Sequence, residues 1–128
     1  LFTATWCGPC KELKRSLTDV YNKQYFEENY IIVILHGDEL AANKHIENPE
    51  TDSARKELRP DSLNFIPYWA ILTPKRKKLA EGIGFSLNPE ELKTFLKTIK
   101  RTSHLRDKEL EMIYSRCQQL SKLTREED

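Results

Sequence analysis

The chain has 128 residues, 38% of them apolar, with 21 Lys and Arg against 20 Asp and Glu for a formal net charge of +1. That length suits one domain with a single core, and the apolar content excludes disorder throughout. The near-neutral balance gives no electrostatic reason to expect a nucleic acid or an anionic membrane as partner, and no apolar run approaches the ~20 residues that span a bilayer.

Leu1 to Thr5 reads as a short apolar strand ending at Trp6-Cys7-Gly8-Pro9-Cys10, after which Leu13, Leu17, Val20 and Tyr21 recur at helical spacing. Tyr30 to Leu35 is rich in Ile and Val without polar alternation, which predicts a central strand deep in the sheet and covered on both faces. His36 to Glu50 is a polar surface excursion with room for one short helical turn and no motif. Thr51 or Asp52 can cap a short helix through about Leu58, which Pro60 ends, and a loop follows to Phe65. Tyr68 to Thr73 and Leu79 to Gly82 are predicted as a strand pair joined by the solvated basic turn Pro74-Lys75-Arg76-Lys77-Lys78.

Asn88-Pro89-Glu90-Glu91 combines a cap, a proline at the first helical position and acids against the dipole, so a helix starts there with Leu92, Phe95, Leu96 and Ile99 facing the core. Thr102 or Ser103 opens a second helix whose Leu110, Ile113, Cys117 and Leu120 step by three and four. Thr124 to Asp128 forms an acidic, frayed end. The order implies an α/β domain over residues 1–101, with a central mixed sheet flanked by helices, and a C-terminal helical extension over 102–128. The opening at Leu1, six residues before a cysteine of chemical character, leads us to expect that the true start lies upstream.

Three cysteines are too few for a disulfide framework, and two stand only three positions apart, so they read as a redox pair. At the N-terminus of a helix, the Cys7 thiolate faces unsatisfied backbone N–H groups and the positive dipole end, which makes Cys7 the nucleophile. Cys10, one turn on, is set to resolve a mixed disulfide by attacking the Cys7 sulfur. Two other uses of the pair stay open. A zinc half-site would need further ligands from His36, His45, His104 or Cys117, and an iron–sulfur cluster would be shared between two chains. The dithiol reading needs no metal and no organic cofactor. Cys117 lies on the apolar stripe of its helix and reads as a buried core thiol, with an intermolecular or regulatory role as the alternative.

The segment Phe2-Thr3-Ala4-Thr5-Trp6-Cys7-Gly8-Pro9-Cys10-Lys11 resembles the active-site segment of thioredoxins and of TlpA-type thioredoxin-like reductases. Phe65-Ile66-Pro67-Tyr68-Trp69 is similar to the family's cis-proline loop, and Gly84 stands where the family has a glycine before its last helix. The resemblance covers about Leu1 to Lys100 and implies the thioredoxin fold. It implies that Pro67 is cis beside the cysteine pair, that the backbone of Ile66 pairs with a substrate segment, and that Trp6 shields the site and lines the substrate surface. Without it, Pro67 would be an ordinary trans proline and Trp6 a core aromatic. The dipeptide Gly8-Pro9 resembles that of reducing members, which favours electron donation to substrates.

The chain also departs from the pattern. Leu1 occupies the position of the thioredoxins' buried aspartate, the facing lysine falls near Ile34, and Glu12 to Ser16 lacks the kinking proline. An apolar surround disfavours the Cys10 thiolate and slows its attack unless another group or water takes the proton. These departures point away from a housekeeping thioredoxin and towards a thioredoxin-like protein with a dedicated partner, and TlpA-type relatives likewise lack the aspartate, which favours a resemblance to them. The strand and helix that open the family fold do not fit into this chain, so it is either a fragment or a minimal version of the fold. The helix after Thr102 is additional to the pattern, and either covers core surface or makes an oligomer contact. The expectation is therefore a protein-disulfide reductase with a disulfide-containing protein substrate and an upstream thiol donor, in a bacterial periplasm or cell envelope, with the cytoplasm as alternative. Its rivals are an oxidase or isomerase using the same site, and a binding or assembly module with weak redox activity.

Overall fold

The computed structural model describes residues 1–59 and 65–127, with side chains through Leu123. Pro60 and the loop expected up to Phe65 lie outside the described residues, as do the side chains of the acidic end. The helices are α1 (Gly8–Thr18), α2 (Lys23–Asn29), α3 (Thr51–Leu58), α4 (Pro89–Thr102) and α5 (Asp107–Glu127), with one 3-10 helix, Ala41–Ile46. The strands are β1 (Phe2–Thr3), β2 (Leu35–His36), β3 (Tyr68–Leu72) and β4 (Lys78–Ile83). The chain is thus α/β and forms two compact units. One comprises Leu1–Lys11 and Val33–Gly84, the other Glu12–Ile32 and the chain from Phe85 onward.

The first unit holds a four-stranded mixed sheet in the order β2-β1-β3-β4. β1 runs parallel to β2, with Phe2 opposite Leu35, and antiparallel to β3, with Phe2 opposite Tyr68. Phe2 and Tyr68 are buried and stack across that pair with ring centroids 5.6 Å apart. The guanidinium of Arg55 on α3 sits over the Phe2 ring at 5.9 Å. β3 and β4 form the expected hairpin, and its turn closes through Thr73 N–H to the Lys77 carbonyl (2.8 Å) and Arg76 N–H to the Thr73 carbonyl (2.9 Å). The basic side chains of the turn are exposed, as a solvated connection requires.

Two expectations about this unit are corrected. The segment Tyr30 to Leu35 is not a deep central strand, because only Leu35–His36 pair and β2 is an outer strand among the described residues. Ile31, 96% exposed, and Val33, also exposed, precede the two paired residues and are not part of β2. Thr51 does not cap α3 through its side chain. It is the first helical residue, and its hydroxyl donates instead to the His36 carbonyl at 2.7 Å.

The second unit is helical, and its buried apolar residues include Leu13, Phe26, Leu92, Ile99, Ile113 and Cys117. The helix start at Asn88 is as predicted, since its side chain accepts from Glu90 N–H at 3.0 Å and Pro89 opens α4. The stripe of α5 is buried as the spacing predicted, and α5 packs against α4 within the same unit. Its start, however, is Asp107 rather than Thr102 or Ser103. Thr102 ends α4, and the Ser103 hydroxyl accepts from Leu105 N–H in the connection (3.2 Å).

α1 stops at Thr18, short of Val20 and Tyr21, which are both exposed. The cause is Asp19, whose carboxylate accepts from the N–H groups of Tyr21 and Asn22 (3.1 and 3.3 Å) and turns the chain. The same carboxylate takes two bonds from Arg116 of α5, at 3.0 and 2.9 Å, which hold it well below the usual carboxylate range. α2, which follows, has only Phe26 as a buried anchor. Tyr30 fastens its end through hydrogen bonds to Thr102 Oγ1 (2.6 Å) and the Ile99 carbonyl (3.2 Å).

Candidate redox site

The site grows from the junction of β1 and α1. β1 ends at Thr3, and Ala4 to Cys7 form a tight turn closed by Cys7 N–H to the Ala4 carbonyl at 3.2 Å. Gly8 then begins α1, which puts Cys7 immediately before the first helical residue and Cys10 in the first turn. This is the strand, turn and helix predicted from the sequence. The two cysteines form a disulfide with their Cα atoms 5.2 Å apart, and Cys10 N–H donates to Cys7 Sγ at 3.2 Å. Any negative charge on Cys7 therefore meets a backbone donor and the positive end of α1.

Both cysteines are buried, Cys10 completely, in an apolar cluster with Ala4, against which Ile66 packs. The Ile66–Pro67 peptide bond is cis, as the resemblance implied, and Pro67 is buried. The Pro67 carbonyl accepts from Gly84 N–H at 2.8 Å, and Gly84 has φ +83°, a backbone region that favours glycine. Gly8 and Pro9 are exposed at the helix start. Trp6 is half-exposed rather than a core aromatic, with its indole N–H donated to the Asp38 carbonyl at 2.9 Å. The structure thus brings Cys7, Cys10 and Ile66 into one cluster, with Trp6, Gly8 and Pro9 adjoining in the chain and Pro67 and Gly84 linked to it through Ile66.

Sequence reading missed the polar residues that hold this turn. Glu39 is only 3% exposed, and its carboxylate accepts Thr5 N–H at both oxygens (2.8 and 3.0 Å) and the Thr5 hydroxyl at 2.8 Å. Burial works against its charge, but the Thr5 hydrogen bonds together with the neighbouring His36 outweigh it and keep the carboxyl below its usual range. Asn43 of the 3-10 helix adds a bond to Thr5 Oγ1 at 3.3 Å. Asp38 has φ +55° and is gripped by the buried Arg55 at 2.6 Å. The only sign in the sequence was the acid pair Asp38-Glu39 directly after a glycine in an otherwise unremarkable polar excursion.

Cys117 is buried in the second unit, as expected, with Asn22 Nδ2 at 3.6 Å from its sulfur, and burial pushes its thiol up. Among the described residues, no group of three or more His, Cys, Asp or Glu is arranged to hold a metal ion, and no helix is long and apolar enough to cross a membrane. No family model, curated protein or solved structure matches the chain.

Proposed function

We propose that the chain is a thioredoxin-fold thiol:disulfide oxidoreductase that reduces disulfides in protein substrates. The observation that carries the reading is the Cys7–Cys10 ring at the start of α1, with Cys10 N–H on the Cys7 sulfur. In the reduced protein, the Cys7 thiolate attacks one sulfur of a substrate disulfide. A Cys7–substrate bond forms, and the other substrate sulfur leaves as a thiolate that takes up a proton. Cys10 loses its proton and attacks Cys7 Sγ, which closes the Cys7–Cys10 bond and releases the second substrate thiol. Two electrons pass to the substrate, and a dithiol donor upstream returns them.

Direction rests on Gly8-Pro9, the dipeptide similar to that of reducing thioredoxins. The test is the equilibrium potential of the Cys7–Cys10 couple in a Cys117→Ala background, measured against a glutathione or thioredoxin buffer. A value near or below about −250 mV is expected of a reductant. A value above about −180 mV makes the protein an oxidase or isomerase, and a pair that does not exchange with either buffer removes the enzymatic reading.

A further inference from the structure

Thr5 and Trp6 are the two central residues of the turn that delivers Cys7 to α1, and neighbouring residues of one loop hold both. Asp38 takes the Trp6 indole N–H through its carbonyl, and Glu39 takes the Thr5 N–H and hydroxyl through its carboxylate. Because β1 ends at Thr3, the Thr5 N–H has no strand partner and needs an acceptor. A carboxylate suits it, since two oxygens and no donor can take a shared N–H and an O–H together. Glu39 is itself fixed, with its N–H donated to Glu47 Oε2 at 2.8 Å, and Glu47 is paired with Lys44 at 3.0 Å. His36 Nδ1 faces Glu39 Oε2 at 3.6 Å without a hydrogen bond. A charge kept this far from water is costly unless it is hydrogen-bonded, a condition that Glu39 meets through Thr5.

We propose that Glu39 is the positioning residue of the redox turn. By clamping Thr5 it holds Cys7 where its sulfur receives the Cys10 N–H, and so sets the reactivity of the Cys7 thiolate. The proposal rests on the reading of Cys7 as the attacking thiol. Asp38 and its Arg55 partner fix the same turn through Trp6, so the loop acts as one jig for the nucleophile.

The test is the rate of iodoacetamide alkylation of Cys7 across pH in the reduced Cys117→Ala protein, compared with Glu39→Gln, Glu39→Ala and Thr5→Val in that background. The expected result is a profile displaced to higher pH in both Glu39 variants, with a rate near neutral pH about tenfold lower, because the sulfur loses part of a charge-assisted hydrogen bond. Thr5→Val, which removes only the hydroxyl bond, is expected to shift the profile in the same direction by less, and it carries the test if the Glu39 variants do not fold. Profiles that superpose on that of the parent would make Glu39 a structural group only and overturn the proposal. A displacement to lower pH would overturn it too, by showing that the Glu39 charge acts directly on the thiolate. A parent protein that alkylates at Cys7 yet exchanges with no disulfide refutes the reductase reading alone, since the alkylation comparison is independent of turnover.

Discussion

A β-carbon added to Gly82 would stand 2.5 Å from Cζ2 of Trp69, so the indole must move for any side chain to fit. Gly82→Ala is expected to lower stability by about 1–3 kcal/mol, the usual cost of overpacking, read as a lower urea midpoint with an unchanged slope. At Cys7 and Cys10 the expectation follows from the proposed function and is chemical. Cys10→Ser leaves the mixed disulfide unresolved, so a covalent adduct of Cys7 with a disulfide-bearing protein accumulates on a non-reducing gel, and Cys7→Ser yields none. Equal trapping by both variants would contradict the assigned roles. Cys7 and Cys10 were legible as a pair because residues three positions apart can close a small disulfide ring. Glu39 was not, because its partner Thr5 lies 34 positions away and nothing local marks a carboxylate that will be buried.

Among the helices, α4 is the one whose local chemistry is complete: a cap, a proline, two acids and a stripe at helical spacing. Asn88→Ala removes the bond to Glu90 N–H and is expected to cost about 1 kcal/mol. On α5, Ile113 is completely buried whereas its neighbour Met112 is half-exposed. Ile113→Ala should therefore cost about 2–5 kcal/mol by leaving a cavity, while Met112→Ala stays within about 0.5 kcal/mol of the parent. Similar losses at both sites would refute the assigned face. α2 escaped the sequence reading because seven residues with one buried anchor carry no periodicity to detect. The run from Tyr30 to Leu35 misled in the opposite sense. A continuous apolar run marks a strand able to be buried on both faces, but its place in the sheet depends on which strands pair beside it.

Across the whole molecule, stability should be greatest near neutral pH. Asp19, held by Arg116, and Glu81, held by Lys78 and Tyr68, have carboxyls below their usual range. Glu39 joins them because its Thr5 bonds and the neighbouring His36 together outweigh its burial. A group whose pKa is depressed in the folded state contributes stability above its unfolded value, and that contribution is lost as pH falls through the folded one. The acid loss is therefore expected below about pH 4. Burial raises the Cys117 thiol and, with the Glu81 hydrogen bond, the Tyr68 phenol. Those groups favour the folded state less once pH exceeds their unfolded values of about 8.5 and 10. Urea midpoints are expected to fall from neutral pH towards both extremes, with Asp19→Asn flattening the acid side. A midpoint unchanged down to about pH 3 would contradict the bonding described for these carboxylates.

What the sequence determined by itself is whatever depends on neighbours along the chain: the cysteine pair at the start of a helix, the hairpin around its basic turn, the capped start of α4 and the buried stripe of α5. These follow from backbone periodicity and from side chains a few residues apart, which act before any tertiary contact exists. Tertiary structure alone decided that β2 is an outer strand among the described residues, that Arg116 closes on the Asp19 carboxylate, and that Glu39 closes on Thr5. Each of these depends on groups brought together from distant parts of the chain. Whether such a group is buried, paired or exposed is decided by the packing around it.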